Sequence, residues 1–97
     1  MHAVMRTYSG DSANKLADRI ESRKDEVEKL MRSVTGFLSW GLMRTANGCI
    51  TFTLCKDKEG CDQSVTIARE WAQKNASDIG APAPTIVEGP VSMRFTA

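Results

Sequence analysis

Arg6, Arg44 and Arg94 are the only charged side chains well inside the expected strands of this chain, and all three are cationic. A guanidinium on a strand can lay its stem along apolar surface or meet a partner across an interface. The alternative is recognition. Arg6 and Arg94, on strands expected to be neighbours, would offer a carboxylate or phenolate ligand the planar fork it fits. The single histidine, His2, is either a frayed terminal residue or a general base. Trp40 and Trp71 bring large flat apolar surfaces, as core anchors or as the walls of a pocket. No Ser-His-Asp set, glycine-rich phosphate loop or spaced carboxylate pair accompanies them.

The three cysteines, Cys49, Cys55 and Cys61, follow an N-terminus without the basic-then-apolar order of a secretory signal. An odd number in that context argues against a disulfide framework. Cys49 and Cys55 fall on one expected strand, about 20 Å apart at roughly 3.3 Å per residue. Two ligands of one zinc cannot stand so far apart, and CxxC spacing is absent. No metal is expected, and free thiols packed as small apolar groups are.

The elements that position these residues are legible. Residues 2–8 form a short strand with Val4 and Tyr8 on one face and Met5 on the other. Ser9-Gly10-Asp11-Ser12 is a turn and N-cap cluster. From Ser12 to Ser33, Leu16, Ile20, Val27, Leu30 and Val34 form one helical stripe that Arg23 interrupts. A hairpin follows, with alternating runs from Phe37 to Met43 and from Cys49 to Cys55 around Asn47-Gly48, a strong hairpin signal. Asp57-Lys58-Glu59-Gly60 reads as a loop, and a second helix is expected over Asp62–Asp78, capped near Gly80. Glu88-Gly89-Pro90 reads as a bend before a last strand carrying Val91, Met93 and Phe95.

That order is β-α-β-β-α-β, an α+β ferredoxin-like sandwich with both helices on one sheet face, and residues 1–97 form a single domain. The other sheet face needs an explanation. The two hairpin parities are Leu38, Trp40, Leu42, Ile50, Phe52 and Leu54 on one side, and Phe37, Met43, Thr51, Thr53 and the two strand cysteines on the other. Neither reads as a wet surface, so two sheets are expected to meet in a homodimer. A formal net charge of +1 gives no electrostatic footprint for nucleic acid, and no apolar run spans a membrane. A cytoplasmic location is expected.

In order and spacing the chain resembles the dimeric α/β barrel superfamily, and within it the antibiotic biosynthesis monooxygenase-like domains. The matching pieces are SVTGFLSWGLMR, ITFTLCKD leading into the second helix, and APAPTIVEGPVSMRF, which together span nearly the whole chain. The resemblance implies a barrel-forming homodimer with a pocket between sheet and helices and no cofactor. Its haem-degrading branch uses an Asn on the first strand, a Trp on the second helix and a His after it. Here only Trp71 corresponds, because Arg6 and Thr7 occupy the strand and His2 is the sole histidine. Its quinone-forming branch uses Asn, Trp, Tyr and Arg, types that Asn75, Trp71, Tyr8 and Arg6 supply without matching the spacing.

Two functions follow as expectations. One is a cofactor-independent monooxygenase acting on an aromatic small molecule, with Trp71, Trp40, Arg6, Asn75, Tyr8 and His2 around the substrate. It needs a cavity of about 300 Å³ or more between sheet and helices. The other is a non-catalytic dimeric module that binds a small apolar ligand or a protein partner.

Overall fold

The computed structural model describes residues 1–97. Its elements are β1 (His2–Ser9), α1 (Asp11–Ser22), α2 (Lys24–Arg32), β2 (Phe37–Thr45), β3 (Gly48–Cys55), α3 (Lys58–Asn75) and β4 (Thr85–Pro90). The strands form one antiparallel sheet in the order β2-β3-β1-β4, and the helices pack on one face of it. This is the expected ferredoxin-like arrangement.

The first helix is broken in two. Arg23 leaves helical geometry (φ −113°, ψ 31°), and Ser22 turns its hydroxyl back onto the Arg19 carbonyl at 2.7 Å. The break keeps Val27 and Met31 of α2 in the core alongside Ala13, Leu16, Ala17 and Ile20 of α1. The N-cap of α1 falls within the expected cluster, at Gly10, with no side-chain cap.

α3 begins earlier than its sequence pattern suggests. Lys58, Glu59 and Gly60 form its first turn instead of a loop. Gly60 is there for close approach: a Cβ would run into the Thr35 carbonyl and the Cys55 side chain. At the other end the helix stops at Asn75, short of Asp78, and a turn follows through Gly80.

β4 also ends sooner than expected. Glu88-Gly89-Pro90 is not a bend but the end of the strand, and Val91, Met93 and Phe95 lie beyond it. The reason is register. Pro90 pairs with His2, the first residue of β1, so the chain past it has no sheet partner beyond one bond from Val91 N–H to the Met1 carbonyl at 2.9 Å.

The hairpin forms as expected, but its turn divides the side chains differently. Ala46 and Asn47 are the two turn residues and Thr45 pairs with Gly48, so from Ser39 to Thr45 each even-numbered residue of one strand faces an odd-numbered residue of the other, until a register shift sets Phe37 opposite Cys55. Trp40 therefore shares a face with Thr53, and Leu42 with Thr51, while Met43 shares one with Ile50. The expected grouping of Trp40 and Leu42 with Ile50, Phe52 and Leu54 is overturned, because a turn of two residues sets even positions opposite odd ones. The inner face holds Val4, Arg6, Tyr8, Trp40, Cys49, Thr51, Thr53 and Cys55, and the outer face holds Met5, Met43, Phe52 and Val87, all exposed.

Candidate functional site

β1 directs Arg6 and Tyr8 into the layer between sheet and helices, where β2 adds Trp40 and α3 adds Trp71. These four line one small cavity of about 30 Å³, walled by Leu16, Ile20, Val27 and Met31. The volume that the enzyme reading needs lies in open grooves rather than in this cavity. The space is divided. An open groove of about 570 Å³ lies between α1, α2 and β2 and reaches the cavity walls at Ile20, Val27, Met31 and Trp40. A second, of about 430 Å³, lies between α3, its connection to β4 and β1, and it shares Arg6, Tyr8, Leu16, Ala68 and Ala72 with the cavity. The cavity thus shares walls with both grooves.

Arg6 is the unusual group. Only 1% of its surface is exposed, yet it forms no ion pair. Its Nε donates to Thr51 Oγ1 at 2.9 Å, one terminal nitrogen to Thr53 Oγ1 at 2.7 Å and the other to Ser64 Oγ at 3.4 Å. Burial lowers the pKa of its guanidinium, against the opposing influence of Tyr8 and Cys61. Burial raises the pKa of the Tyr8 hydroxyl, which Arg6 only partly offsets. Tyr8 is therefore held as the neutral phenol at neutral pH, and Arg6 keeps a charge with no counter-charge beside it.

The tryptophans divide their roles. Trp71 lines the cavity while its Nε1 donates outward to Glu26 at 3.3 Å. Trp40 Nε1 is buried with no hydrogen-bond partner, the only side-chain nitrogen or oxygen in the chain left so.

The other expected site residues stand apart. Asn75 belongs to the outside of the helix layer: its Nδ2 donates to the Trp71 carbonyl at 3.1 Å and its Oδ1 accepts from Arg23 at 3.1 Å. His2 lies four residues along β1 from Arg6, about 13 Å away in an extended strand. There its Nε2 is 2.9 Å from Glu88. Arg94 is not beside Arg6 either, since Ile86 holds that register and Arg94 meets only Met1 Sδ at 3.6 Å. Arg44, the third strand arginine, faces α1 and pairs with Asp18 and Glu21.

Thr51, Thr53 and Ser64 were not candidates on sequence grounds. Their signal was two threonines on the same parity as the strand cysteines, opposite Arg6 once the β1–β3 register is known. The cysteines are free and buried. Burial pushes the Cys55 thiol up to about 11, so it stays protonated at neutral pH. No group of three His, Cys, Asp or Glu side chains is arranged to hold a metal ion.

No protein-family model matches the chain, and no curated protein does. Solved structures do match. A dimeric ferredoxin-like protein from an uncultured marine organism aligns with a TM-score of 0.65 at 16% identity, over 97% of this chain and 94% of that one. A second dimeric ferredoxin-like protein, also from an uncultured marine organism, gives 0.62 at 13% identity over 99% and 95%. The fold is that of the dimeric ferredoxin-like proteins. A monooxygenase from Streptomyces coelicolor, in complex with the ligand nanaomycin D, shares this ferredoxin-like fold with a TM-score of 0.57 at 16% identity, over 99% of this chain and 90% of that one. These likenesses agree with the resemblance to antibiotic biosynthesis monooxygenase-like domains at the level of fold, and they assign no residue a role.

Proposed function

We propose that the chain forms a homodimer through the outer sheet face, and that each protomer binds a small aromatic anion between sheet and helices. The observation that carries the ligand class is Arg6, a buried cation without a carboxylate, held by three hydroxyls in a largely apolar layer. A desolvated charge of this kind costs several kcal/mol unless an opposite charge reaches it. The groove of about 430 Å³ accommodates a ring system of drug-like size, with Arg6 and Tyr8 at its floor. Seated there, a phenol would have its pKa lowered by the guanidinium and be held as the phenolate.

The reaction this favours is cofactor-independent oxygenation. An electron-rich phenolate with an activated ring CH₂ reduces dioxygen itself. The CH₂ becomes a carbonyl, one oxygen atom enters the product, and the other leaves as water with the two hydrogens. Arg6 holds the oxyanion while Trp71, Leu16 and Ala72 keep bulk water from it. The similar Streptomyces coelicolor monooxygenase supports this reading.

One observation favours the non-catalytic alternative. The linings of the cavity and of the β4-side groove contain no carboxylate or imidazole to take a proton. Binding without turnover is then the outcome, unless the ligand arrives ionised. Dioxygen uptake with an anthrone, followed with quinone absorbance, separates the two: stoichiometric uptake that Arg6→Met abolishes supports the oxygenase, and binding without uptake supports the ligand-binding module.

The dimer rests on Met5, Met43, Phe52 and Val87, which crowd one sheet face while 39–62% exposed. A contiguous apolar face of this kind marks an interaction surface. The similar ferredoxin-like proteins are dimeric. Sedimentation at micromolar concentration tests it, and a stable monomer would rule it out.

A further inference from the structure

We propose that the small cavity beside Arg6 is a binding site for one small monovalent inorganic anion of the chloride class, filled whenever no organic ligand occupies the site. The inference rests on the buried guanidinium and the cavity, and it holds whether or not the protein is an oxygenase.

Charge comes first. A guanidinium has five N–H donors, and Arg6 spends three of them on hydroxyl oxygens. Hydroxyls contribute dipoles, not a counter-charge. The nearby groups able to ionise are Tyr8 and Cys61, and burial raises the pKa of both. At neutral pH the protein therefore offers Arg6 no negative charge.

The polar lining has a sign. Arg6 only donates, Trp40, whose buried indole N–H has no partner, lines the same cavity and also only donates, and the neutral Tyr8 hydroxyl in the same lining has a hydrogen to give. Thr51 already accepts from Arg6, which leaves its hydroxyl hydrogen free to donate. A water molecule does best with a mixture of donors and acceptors, whereas an anion is satisfied by donors alone. Size then selects among anions. A volume of about 30 Å³ matches about one water molecule. Chloride or bromide fits that space, while sulfate and organic carboxylates do not. A single negative charge also neutralises Arg6 without burying an excess charge in its place.

The test is thermal unfolding of the full chain at constant ionic strength as gluconate is replaced by chloride, with ³⁵Cl NMR line broadening alongside. A ligand that binds only the folded state raises its stability with concentration. The wild type is expected to gain a saturable rise in Tm with chloride and bromide but not with sulfate, together with line broadening. Arg6→Met is expected to lose both responses. Should Arg6→Met fail to fold, Trp40→Phe serves instead, with chloride affinity about tenfold weaker for the loss of one charge-assisted hydrogen bond. Identical melting in chloride and gluconate with no line broadening would overturn the site, and so would a chloride response that survives Arg6→Met. Competition keeps this separate from the aromatic-ligand reading. Chloride binding that no phenolate displaces sustains the anion site and removes the phenolate from it.

Discussion

The two faces of β3 invert the usual pattern. Its inner face carries Cys49, Thr51, Thr53 and Cys55, and its outer face carries Ile50, Phe52 and Leu54. An ordinary half-exposed strand puts its larger apolar side chains toward its own helices. Here the protomer core receives the small and hydroxylated residues, and the large hydrophobics point away. The difference teaches that neither face is simply a core or a surface. The inner one makes room for and solvates a buried cation, and the outer one is built to be covered by a second sheet.

The largest effect expected from breaking this comparison is on the outer face. Phe52→Glu places a charge where two sheets would meet and should convert the dimer to monomer at micromolar concentration, read by sedimentation. A Phe52→Glu dimer of unchanged stability would show that the apolar face is not the interface.

Inside, the size of the replacement side chain sharpens the contrast. Arg6→Ala opens a cavity and should cost about 3 kcal/mol by denaturant unfolding. Arg6→Met fills the space without the charge and should cost no more than about 1 kcal/mol, because a desolvated ion is replaced by apolar contact. Equal losses from the two would mean that the guanidinium is a structural keystone and not a receptor. Gly60→Ala should cost about 1–3 kcal/mol, since the new methyl meets the Thr35 carbonyl and Cys55 where α3 starts.

Alkaline pH separates the faces further, because the thiols and the phenol whose pKa values burial raises are all inside. Cys55 moves from 9.0 to about 11, and Cys49, Cys61 and Tyr8 shift upward as well, each mainly through burial. In the unfolded chain the thiols ionise first, while the folded chain keeps its protons. Stability is therefore undiminished by these groups below about pH 9 and falls as pH rises toward about 11. Thermal melts across that window should show the decline, and Cys55→Ala should make it shallower. The smallest effect belongs to Asn75, whose bonds lie outside the cavity: Asn75→Ala should leave ligand affinity within about twofold.

Much of the fold was legible in the residues. Helical stripes and the alternating hairpin carry their own period, and strand order follows from connection rules. What was hidden depended on register. The parity error in the hairpin came from grouping even positions of both strands together, whereas any two-residue turn sets even opposite odd, and so Trp40 and Leu42 share a face with Thr51 and Thr53. The early start of α3 was obscured by Gly60, which reads as loop flexibility in the sequence and serves as a contact in the fold. In the site, Arg6, Tyr8, Trp40 and Trp71 converge, while His2 and Asn75 do not. The hydroxyl cradle could not be read from β1 or β3 alone, because only their pairing sets Arg6 opposite Thr51.

The most direct test of Arg6 as an anion receptor is a tryptophan-fluorescence titration with one phenol at pH values on either side of the phenol's own pKa. The wild type should bind the ionised form at least about tenfold more tightly than the neutral form, as a charge-assisted hydrogen bond requires. Arg6→Met should bind both forms alike. Equal affinity of the wild type for the two forms would contradict the account.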